Sequence, residues 1–290
     1  MKACLTCGAR AIDIDWRCLT CGYQPQSIDG FHAFAPELAL ENDGMSSDAH
    51  SGLDSVQDRS FWFRARNRLI AGLVGRYASD ARQVLEVGCG TGYVTMALQD
   101  VLPAASIVAT EIYANGLPYA AARLGHGVQL MQMDATRIPF VEEFDLVCAF
   151  DVVEHITDDE QAIAAMAKSL KPGGQLFLSV PQHQWLWSQV DAFSHHKRRY
   201  ARRELAQKCQ RAGLSIVTQT SFVTTLLPLM FAKRLAERKR SLVNPASEHT
   251  LPGSVDRLFA GMLDVERRLI MAGFPLPVGG SRFVLARKAA

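Results

Sequence analysis

The sequence lacks the features that define several large classes of protein. No apolar run approaches the about 18 residues that span a bilayer, and residues 1–4 do not begin the apolar segment of a signal peptide. The formal charge is only +2 over 290 residues, so charge alone does not indicate nucleic-acid binding. These absences predict a cytoplasmic globular protein with one main domain and an accessory segment.

A disulfide framework is also missing, although there are seven cysteines. Three of them are scattered through predicted core elements, and four form two C-x2-C-G units separated by ten residues. Each unit points two thiolates at one point, and four thiolates suit Zn²⁺ in a closed structural site. Residues 1–30 are therefore predicted to be a zinc-ribbon-like knuckle, with two unrelated pairs or a redox C-x-x-C as the alternatives. The predicted ligands are Cys4, Cys7, Cys18 and Cys21.

Residues 31–60 are predicted to be a linker, since residues 41–58 are rich in Asp, Ser, Gly and Asn and indicate a mobile linker or lid. Apolar residues at helical spacing from Phe63 to Val74 then predict an amphipathic helix. Its first aromatic residues either pack against a sheet or belong to a helix that covers a cofactor. In the second case Arg64 or Arg66 reaches a carboxylate.

The most informative stretch is residues 84–92, Val-Leu-Glu-Val-Gly-Cys-Gly-Thr-Gly. It predicts a strand over Gln83–Val87, a glycine turn and a helix to about Val101. Glycines let the backbone approach a ligand, and the helix N-terminus presents free amides. The spacing E-x-G-x-G-x-G differs from the dinucleotide fingerprint G-x-G-x-x-G. It resembles motif I of the class I S-adenosylmethionine-dependent methyltransferases, which implies that Glu86 lies near the methionine moiety of the cofactor.

Further segments are similar to this family in the same order over residues 83–221. Strand two ends at Glu111, about 20 residues after the loop, where such folds bind ribose hydroxyls. Asp134 ends strand three, where the family has an acid that contacts the adenine amino group, and a Leu-Lys-Pro-Gly-Gly turn at residues 170–174 precedes strand five. The cofactor-binding residues that the resemblance implies are Glu86, Gly88, Cys89, Gly90, Thr91, Gly92, Glu111, Ile112, Asp134, Ala135, Asp151 and His155.

The fold that this resemblance implies is an α/β, Rossmann-like, seven-stranded sheet with helices on both faces. It would occupy residues 61–290 and include a helical insert at about 222–280. Within it, residues 157–160, Thr-Asp-Asp-Glu, predict a capping box that opens a helix.

Residues 151–156 follow strand four and contain the pattern D-x-x-E-H. The similar E-x-x-E-H of the ubiquinone-pathway O-methyltransferases is associated with a divalent cation, which implies Mg²⁺ shared by Asp151, Glu154 and His155. In the alternative interpretation, Asp151 and His155 shape the cofactor pocket while Glu154 caps or pairs locally.

Residues 181–200 are the predicted acceptor loop, because they follow a central strand and contain two Trp, three His, an Asp and a basic run. Methyl transfer is an in-line displacement that needs alignment and, for many acceptors, a base. His195 or His196 is the predicted base, with Asp191 as its orienter. Alternatively, residues 197–199 are a solvated helix entry that the histidines cap.

The insert offers two further predictions. Apolar residues 222–232 precede a basic cluster, so residues 222–240 either contact an anionic membrane surface or a lipid-linked substrate, or form a buried lid. Four apolar residues on one face of a later helix indicate a lid or a homodimer contact. They are Leu258, Met262, Val265 and Leu269.

The predicted function is methyl transfer from S-adenosylmethionine to a small-molecule or lipid- or glycan-linked acceptor, in the cytoplasm or at the inner membrane face. One alternative is an RNA methyltransferase that uses the knuckle and the basic loop, disfavoured by the small net charge and the lack of an N-P-P-Y-like motif. The other is a non-catalytic cofactor-binding or docking module, disfavoured by the intact acidic and glycine positions.

Overall fold

The computed structural model describes residues 1–39, 49–237 and 251–290. These residues form one sheet of nine strands in the order β1-β2-β5-β4-β3-β6-β7-β9-β8. The strands are β1 (Gln26–Ile28), β2 (Phe31–Ala33), β3 (Gln83–Val87), β4 (Ser106–Glu111), β5 (Val128–Gln132), β6 (Phe144–Phe150), β7 (Leu170–Pro181), β8 (Leu214–Phe222) and β9 (Ser281–Lys288).

The helices cover both faces of this sheet. They are α1 (Ala49–Gln57), α2 (Phe61–Tyr77), α3 (Tyr93–Val101), α4 (Leu117–Leu124), α5 (Asp159–Ser169), α6 (Gln189–Phe193), α7 (Glu204–Arg211), α8 (Leu227–Glu237) and α9 (Gly253–Met271). The five neighbouring strands β5, β4, β3, β6 and β7 run parallel, and β9 is antiparallel to both β7 and β8. This confirms the predicted Rossmann-like methyltransferase sheet, whose seven strands are β5-β4-β3-β6-β7-β9-β8.

The predicted strand count was wrong by two, because a hairpin of β1 and β2 extends the sheet beyond β5. β2 runs parallel to β5, with His32 opposite Met131. The buried side chain of Gln132 secures this edge: its amide group accepts from the Ala35 N–H at 3.0 Å and donates to the Ala35 carbonyl at 2.8 Å. Three-residue strands are too short to show a hydrophobic period, so the sequence pattern did not indicate them.

The predicted linker contains regular structure, since β2 and α1 both lie within residues 31–60. Residues 41–48 of the predicted mobile segment lie outside the described residues. The division into knuckle, linker and main domain stays a prediction.

Two apolar layers hold the helices to the sheet. One layer contains α2, α3 and α9, and in it Leu69 and Ile70 of α2 are fully buried. The other contains α5 and α7 and extends to Trp16 of the N-terminal segment. Burying side chains of this size contributes on the order of 2 kcal/mol each, so the predicted amphipathic helix is an integral layer of the core.

The capping box predicted at residues 157–160 was wrong in its first residue. Asp158, not Thr157, is the N-cap of α5, and its carboxylate accepts from the Gln161 N–H at 3.0 Å. A free carboxylate at this position also interacts favourably with the helix dipole.

The insert between β8 and β9 is tied to the sheet by a buried acid. Glu266 of α9 is 1% exposed and accepts from the N–H groups of Thr224 and Thr225 at 3.0 and 2.6 Å. Within residues 1–39, 49–237 and 251–290, every helix is too short or too polar to cross a bilayer.

Candidate cofactor and acceptor site

The backbone conformation of the loop between β3 and α3 requires glycine at several positions. Gly88, Gly90 and Gly92 all have positive φ, at 73°, 54° and 77°, which favours glycine. A Cβ on Gly88 would lie 2.4 Å from Val152 Cγ2. The Gly88 and Cys89 N–H groups donate to the Thr110 carbonyl at 2.7 and 2.9 Å, so the loop is fixed against β4 while α3 begins at its far end.

Glu86 lies at the end of β3, 2% exposed, and its Oε2 atom has no hydrogen-bond partner among the described residues. Burial raises the pKa of this carboxyl to about 7, against the opposing effects of Thr95 and Arg66. An orphaned buried acceptor requires a donor. The ammonium group of S-adenosylmethionine is such a donor, so this position fits the amino-acid end of that cofactor.

Glu111 ends β4 and closes over the glycine loop. One carboxylate oxygen accepts from the Gly90 N–H at 2.9 Å, and the other accepts from the N–H groups of Ile112 and Tyr113 at 2.9 and 3.3 Å. Each carboxylate oxygen carries two lone pairs. Three of the four lone pairs accept from the backbone and orient the side chain, and Oε2 retains one lone pair to accept from a ribose hydroxyl.

The next predicted acid has a different environment. Asp134 accepts from the N–H of Thr136 at 2.8 Å and from its hydroxyl at 2.6 Å, and the adjacent Ala135 is buried. Asp134 thus lies two residues after β5, and both of its carboxylate oxygens are engaged by a local turn.

Thr91 of the loop contacts a helix that the sequence did not predict. Its hydroxyl donates to Gln57 Oε1 at 2.6 Å, and both side chains are buried. Gln57 ends α1. The lid interpretation of residues 41–58 is consistent with this contact, although no periodic pattern in that polar stretch predicted the helix.

Asp151 is paired with the helix that covers this end of the sheet. Arg66 Nη2 lies 2.6 Å from Asp151 Oδ2, and the same guanidinium donates to the Phe150 carbonyl at 3.1 Å. Asp151 has φ of 57°. Both predicted arginines therefore pair with carboxylates of the protein itself, Arg66 with Asp151 and Arg64 with Asp256 of α9 at 2.5 Å, and a contact with the cofactor stays a prediction.

Glu154 and His155 lie next to His196, whereas the sequence predicted that they share an ion with Asp151. His155 and His196 meet edge to face with ring centroids 4.7 Å apart, while the carboxylate of Asp151 is engaged by Arg66. The predicted Mg²⁺ ligand set of Asp151, Glu154 and His155 is therefore not supported. Glu154 does not cap or pair locally either, because both of its oxygens are buried and lack partners among the described residues.

Asp191 organises the acceptor loop. It is 1% exposed, lies 2.9 Å from His196 Nδ1 and accepts from Arg199 Nε at 2.7 Å. It also completes a capping box with Ser188. The predicted orienter therefore contacts His196, while His195 is exposed and has φ of 55°.

The basic run of the loop is only partly solvated. Arg199 lies on Asp191, and Arg198 lies 2.9 Å from Asp159 Oδ1 and donates to the Thr157 carbonyl at 2.7 Å. Both arginines anchor the loop to buried acids. The alternative of a simple solvated helix entry is therefore wrong for these two residues.

Aromatic side chains line the outer part of the loop. Trp185 stacks on His183 at 4.9 Å and meets Phe231 of α8 edge to face at 5.5 Å. His183 has φ of 67°, and its Nε2 atom has no hydrogen-bond partner among the described residues. Sequence reasoning did not single out His183 or Phe231, since nothing local indicates that α8 returns to this loop.

The N-terminal knuckle brings the four predicted cysteines together. All four Sγ atoms lie within 4.8 Å of one another, and the Gly8 and Gly22 N–H groups close matching turns on Cys4 and Cys18. A hydrogen bond from the Cys21 backbone lowers the pKa of the Cys18 thiol to about 6, against burial. A thiolate is the form that binds zinc.

The knuckle is attached to the edge of the main sheet. Trp16 is 3% exposed and packs edge to face on Phe34 and Phe140, with centroids 4.7 and 5.3 Å away. Lys2 forms an antiparallel bridge with Phe140. The small module thus shares the hydrophobic core of the larger one.

Comparison with known proteins agrees with this geometry. Residues 85–178 match the methyltransferase domain family Methyltransf_11. This chain contains a class I S-adenosylmethionine-dependent methyltransferase domain. It spans about half the length of the curated relatives it matches, at 45% and 62% of the two described next.

The relatives of the methyltransferase domain have different acceptors in their names. Over 174 residues, 57% of this chain, it is 30% identical to the ubiquinone/menaquinone biosynthesis C-methyltransferase UbiE of Stutzerimonas stutzeri. Over 116 residues, 40% of this chain, it is 30% identical to the malonyl-[acyl-carrier protein] O-methyltransferase of Anoxybacillus flavithermus. The structure of Haemonchus contortus phosphoethanolamine N-methyltransferase 2 with S-adenosyl-L-methionine shares the fold, with TM-score 0.58, 15% identity and coverage of 90% of this chain and 61% of that one.

Proposed function

We propose that the protein transfers a methyl group from S-adenosylmethionine to a small-molecule or lipid- or glycan-linked acceptor. The observation that carries the proposal is the orphaned, buried carboxylate of Glu86 beside the open glycine loop. The relatives are named as O-, C- and N-methyltransferases. They support the reaction class and leave the acceptor atom open.

Each acidic strand end has a separate task in this proposal. Bound S-adenosylmethionine supplies an electrophilic methyl group on a sulfonium. Glu86 accepts from its ammonium group, Glu111 accepts from a ribose hydroxyl, and Asp134 lies nearest the adenine. Arg66 holds Asp151 in place at the end of β6.

The acceptor side has to orient the nucleophile and remove its proton. His195 or His196 is proposed as the base, and Asp191 as the residue that fixes His196 through the 2.9 Å contact with Nδ1. Trp185 and His183 form a stacked surface on which a flat or apolar acceptor is proposed to lie.

The cofactor assignment can be tested by calorimetry with S-adenosylmethionine. Glu111→Ala and Gly90→Arg should each weaken binding at least about 100-fold, because one removes the ribose acceptor and the other fills the open loop. Asp100→Ala is the matched control, since Asp100 is an exposed acid of the helix that follows the loop. Wild-type affinity in both site variants would contradict the assignment.

We propose that the knuckle holds one structural Zn²⁺. Four thiolates leave no position open for a substrate, so its task is to stabilise the N-terminal segment against the sheet. Metal analysis should find about one zinc per chain, lost in Cys18→Ser and retained in Cys209→Ala, whose cysteine is buried elsewhere in the core. Zinc retained in Cys18→Ser, or absent from the wild type, would refute it.

Peripheral contact with an anionic membrane surface through residues 222–240 is proposed as the route to a lipid-linked acceptor. The support is the exposed apolar side of α8 close to Trp185, where Leu229, Phe231 and Leu235 are 52%, 45% and 45% exposed. Residues 238–240, part of the predicted basic cluster, lie outside the described residues. Co-sedimentation with phosphatidylglycerol vesicles should fall in Phe231→Ser and not in Leu258→Ser, which alters an exposed apolar residue of α9.

A further inference from the structure

Three side chains from two distant segments meet beside the acceptor loop. Glu154 and His155 follow β6, whereas His196 follows α6 about forty residues later. One ligand atom of each, a carboxylate oxygen and two ring nitrogens, lies within 4.8 Å of the others. Atoms that coordinate the same metal ion lie at such distances from one another.

Glu154 is the side chain that most requires an explanation. It is 0% exposed, and neither oxygen of its carboxylate has a hydrogen-bond partner among the described residues. A polar group left unpaired in the interior loses its hydrogen bonds to water without replacement, and the penalty is larger for an ion than for a neutral group. A cation between Glu154 and the two histidines would supply the missing partner.

The surroundings of His196 have the arrangement found around metal-bound imidazoles. Its Nδ1 lies 2.9 Å from Asp191, and Asp191 is itself fixed by Arg199 at 2.7 Å. A buried carboxylate on one ring nitrogen fixes the ring orientation and makes the other nitrogen a stronger ligand. Asp191 therefore prepares His196 for coordination through the opposite ring edge.

We propose that Glu154, His155 and His196 form a binding site for a divalent first-row transition metal such as Mn²⁺, Fe²⁺ or Zn²⁺. Two imidazoles and one carboxylate suit these ions, whereas Mg²⁺ prefers oxygen ligands and retains water. Three protein ligands leave coordination positions for water or for an oxygen atom of a bound molecule. The site is separate from the four-cysteine knuckle and does not use Asp151.

Metal binding also separates the two candidate bases. A coordinated His196 cannot accept a proton from the acceptor, so in the metal-bound protein the base role falls to His195. His195 directly precedes His196, is exposed, and does not belong to the cluster of Glu154, His155 and His196.

The test is titration of the full chain with Mn²⁺, followed by the electron paramagnetic resonance signal of free Mn²⁺. Mn²⁺ is used because it binds thiolates poorly, so the knuckle does not compete. The wild type should bind about one Mn²⁺, and Glu154→Gln and His196→Ala should each weaken binding at least about 10-fold. His195→Ala is the matched control and should bind like the wild type.

Two further variants define the ligand set. Asp191→Asn should weaken Mn²⁺ binding by about 10- to 100-fold, because it removes the charge behind His196. Asp151→Asn should leave binding unchanged, and a loss there would move the ion to a different set of ligands and overturn the proposal.

The remaining outcomes are equally decisive. No Mn²⁺ binding by the folded wild type, or wild-type affinity in both Glu154→Gln and His196→Ala, would overturn the site. Retained far-ultraviolet circular dichroism shows that each variant is folded, and His155→Ala replaces any variant that is not. The titration contains no S-adenosylmethionine, so its result is independent of the proposed methyl transfer.

Discussion

The two ends of the site differ in how their polar groups are satisfied. At the cofactor end, Glu111 is held by three backbone N–H groups and the glycine loop is fixed to β4. At the acceptor end, Glu154 and the Nε2 atom of His183 have no hydrogen-bond partner among the described residues. At the first end the backbone orients the loop and Glu111, and Glu86 Oε2 lacks a partner, whereas at the second end neither carboxylate oxygen of Glu154 is satisfied by the fold.

This difference follows from the chain topology. The cofactor end is built from the carboxyl ends of adjacent parallel strands, each followed directly by its own loop. The acceptor end combines the residues after β6, the loop after β7 and α8 of the insert. Residues of these segments can differ between proteins without altering the strand ends that bind the cofactor. One fold can therefore accommodate many acceptors.

The largest effect is expected from Gly88→Val at the cofactor end. The new Cβ would lie 2.4 Å from Val152, and the φ of 73° disfavours a β-branched residue. We expect S-adenosylmethionine affinity to fall more than about 100-fold in calorimetry. Gly90→Ala is the control for backbone strain alone, since a Cβ there meets nothing within 4 Å, and an equal loss in both variants would refute the steric reason.

Lys208→Met tests how much the buried ion pair next to the acceptor loop stabilises this end of the protein. Lys208 donates to Asp159 at 2.7 Å in a buried pair, and Tyr200 donates to the same carboxylate at 2.5 Å. Removing this cation leaves Arg198 as the ion-pair partner of Asp159, so the free energy of unfolding in urea should fall by the about 1.5–3 kcal/mol of a charged hydrogen bond. Arg211→Met breaks an exposed pair with Glu160 and should cost less than about 1 kcal/mol.

At Glu86 the predicted effect is a pH dependence. Burial raises its pKa in the folded protein to about 7, above the about 4.3 of an unfolded chain, so the folded state binds this proton more tightly. The protonated Glu86 therefore contributes on the order of 3 kcal/mol to the free energy of unfolding below about pH 4.3. This contribution is lost as the pH rises through 7.

Urea unfolding of Glu86→Gln and wild type across this pH range measures the effect. The variant should gain stability relative to wild type as the pH rises, because its side chain cannot ionise. Asp100→Asn should show no such trend. A constant difference between Glu86→Gln and wild type would show that Glu86 titrates normally.

The smallest effect is expected from Trp185→Ala. Trp185 is 42% exposed and contacts His183 and Phe231, so unfolding should change by less than about 1 kcal/mol. Affinity for S-adenosylmethionine should stay within about twofold, while KM for an identified acceptor should rise. A large loss of cofactor affinity would remove the distinction between the two ends.

The sequence predicted the cofactor end because its signals are local. Glu86, the glycines and Glu111 stand directly at strand ends, and the strands themselves are apolar runs. Asp191 was also predicted as the orienter of His195 or His196, and the structure places it against His196, five residues away. The meeting of His196 with Glu154 was not, because the sequence does not fix how the loop after β7 lies on the segment after β6.

The N-terminal hairpin was missed for a related reason. Its strands have three residues each, and its partner strand lies about one hundred residues further along. The side chain of Gln132 that secures this edge is polar and buried, which is the opposite of what hydrophobic patterning assumes. Sequence patterns predict elements better than they predict such distant pairings.

The bridge between Lys2 and Phe140 has a consequence for synthesis on the ribosome. Lys2 is translated some 140 residues before its bridge partner Phe140, an interval of roughly 7–28 seconds at about 5–20 residues per second. During that interval Trp16 lacks Phe140, one of the two rings against which it is buried in the folded protein. Capture of the proposed Zn²⁺ by the four cysteines would fold this segment locally and protect it from proteases until Phe140 has been translated.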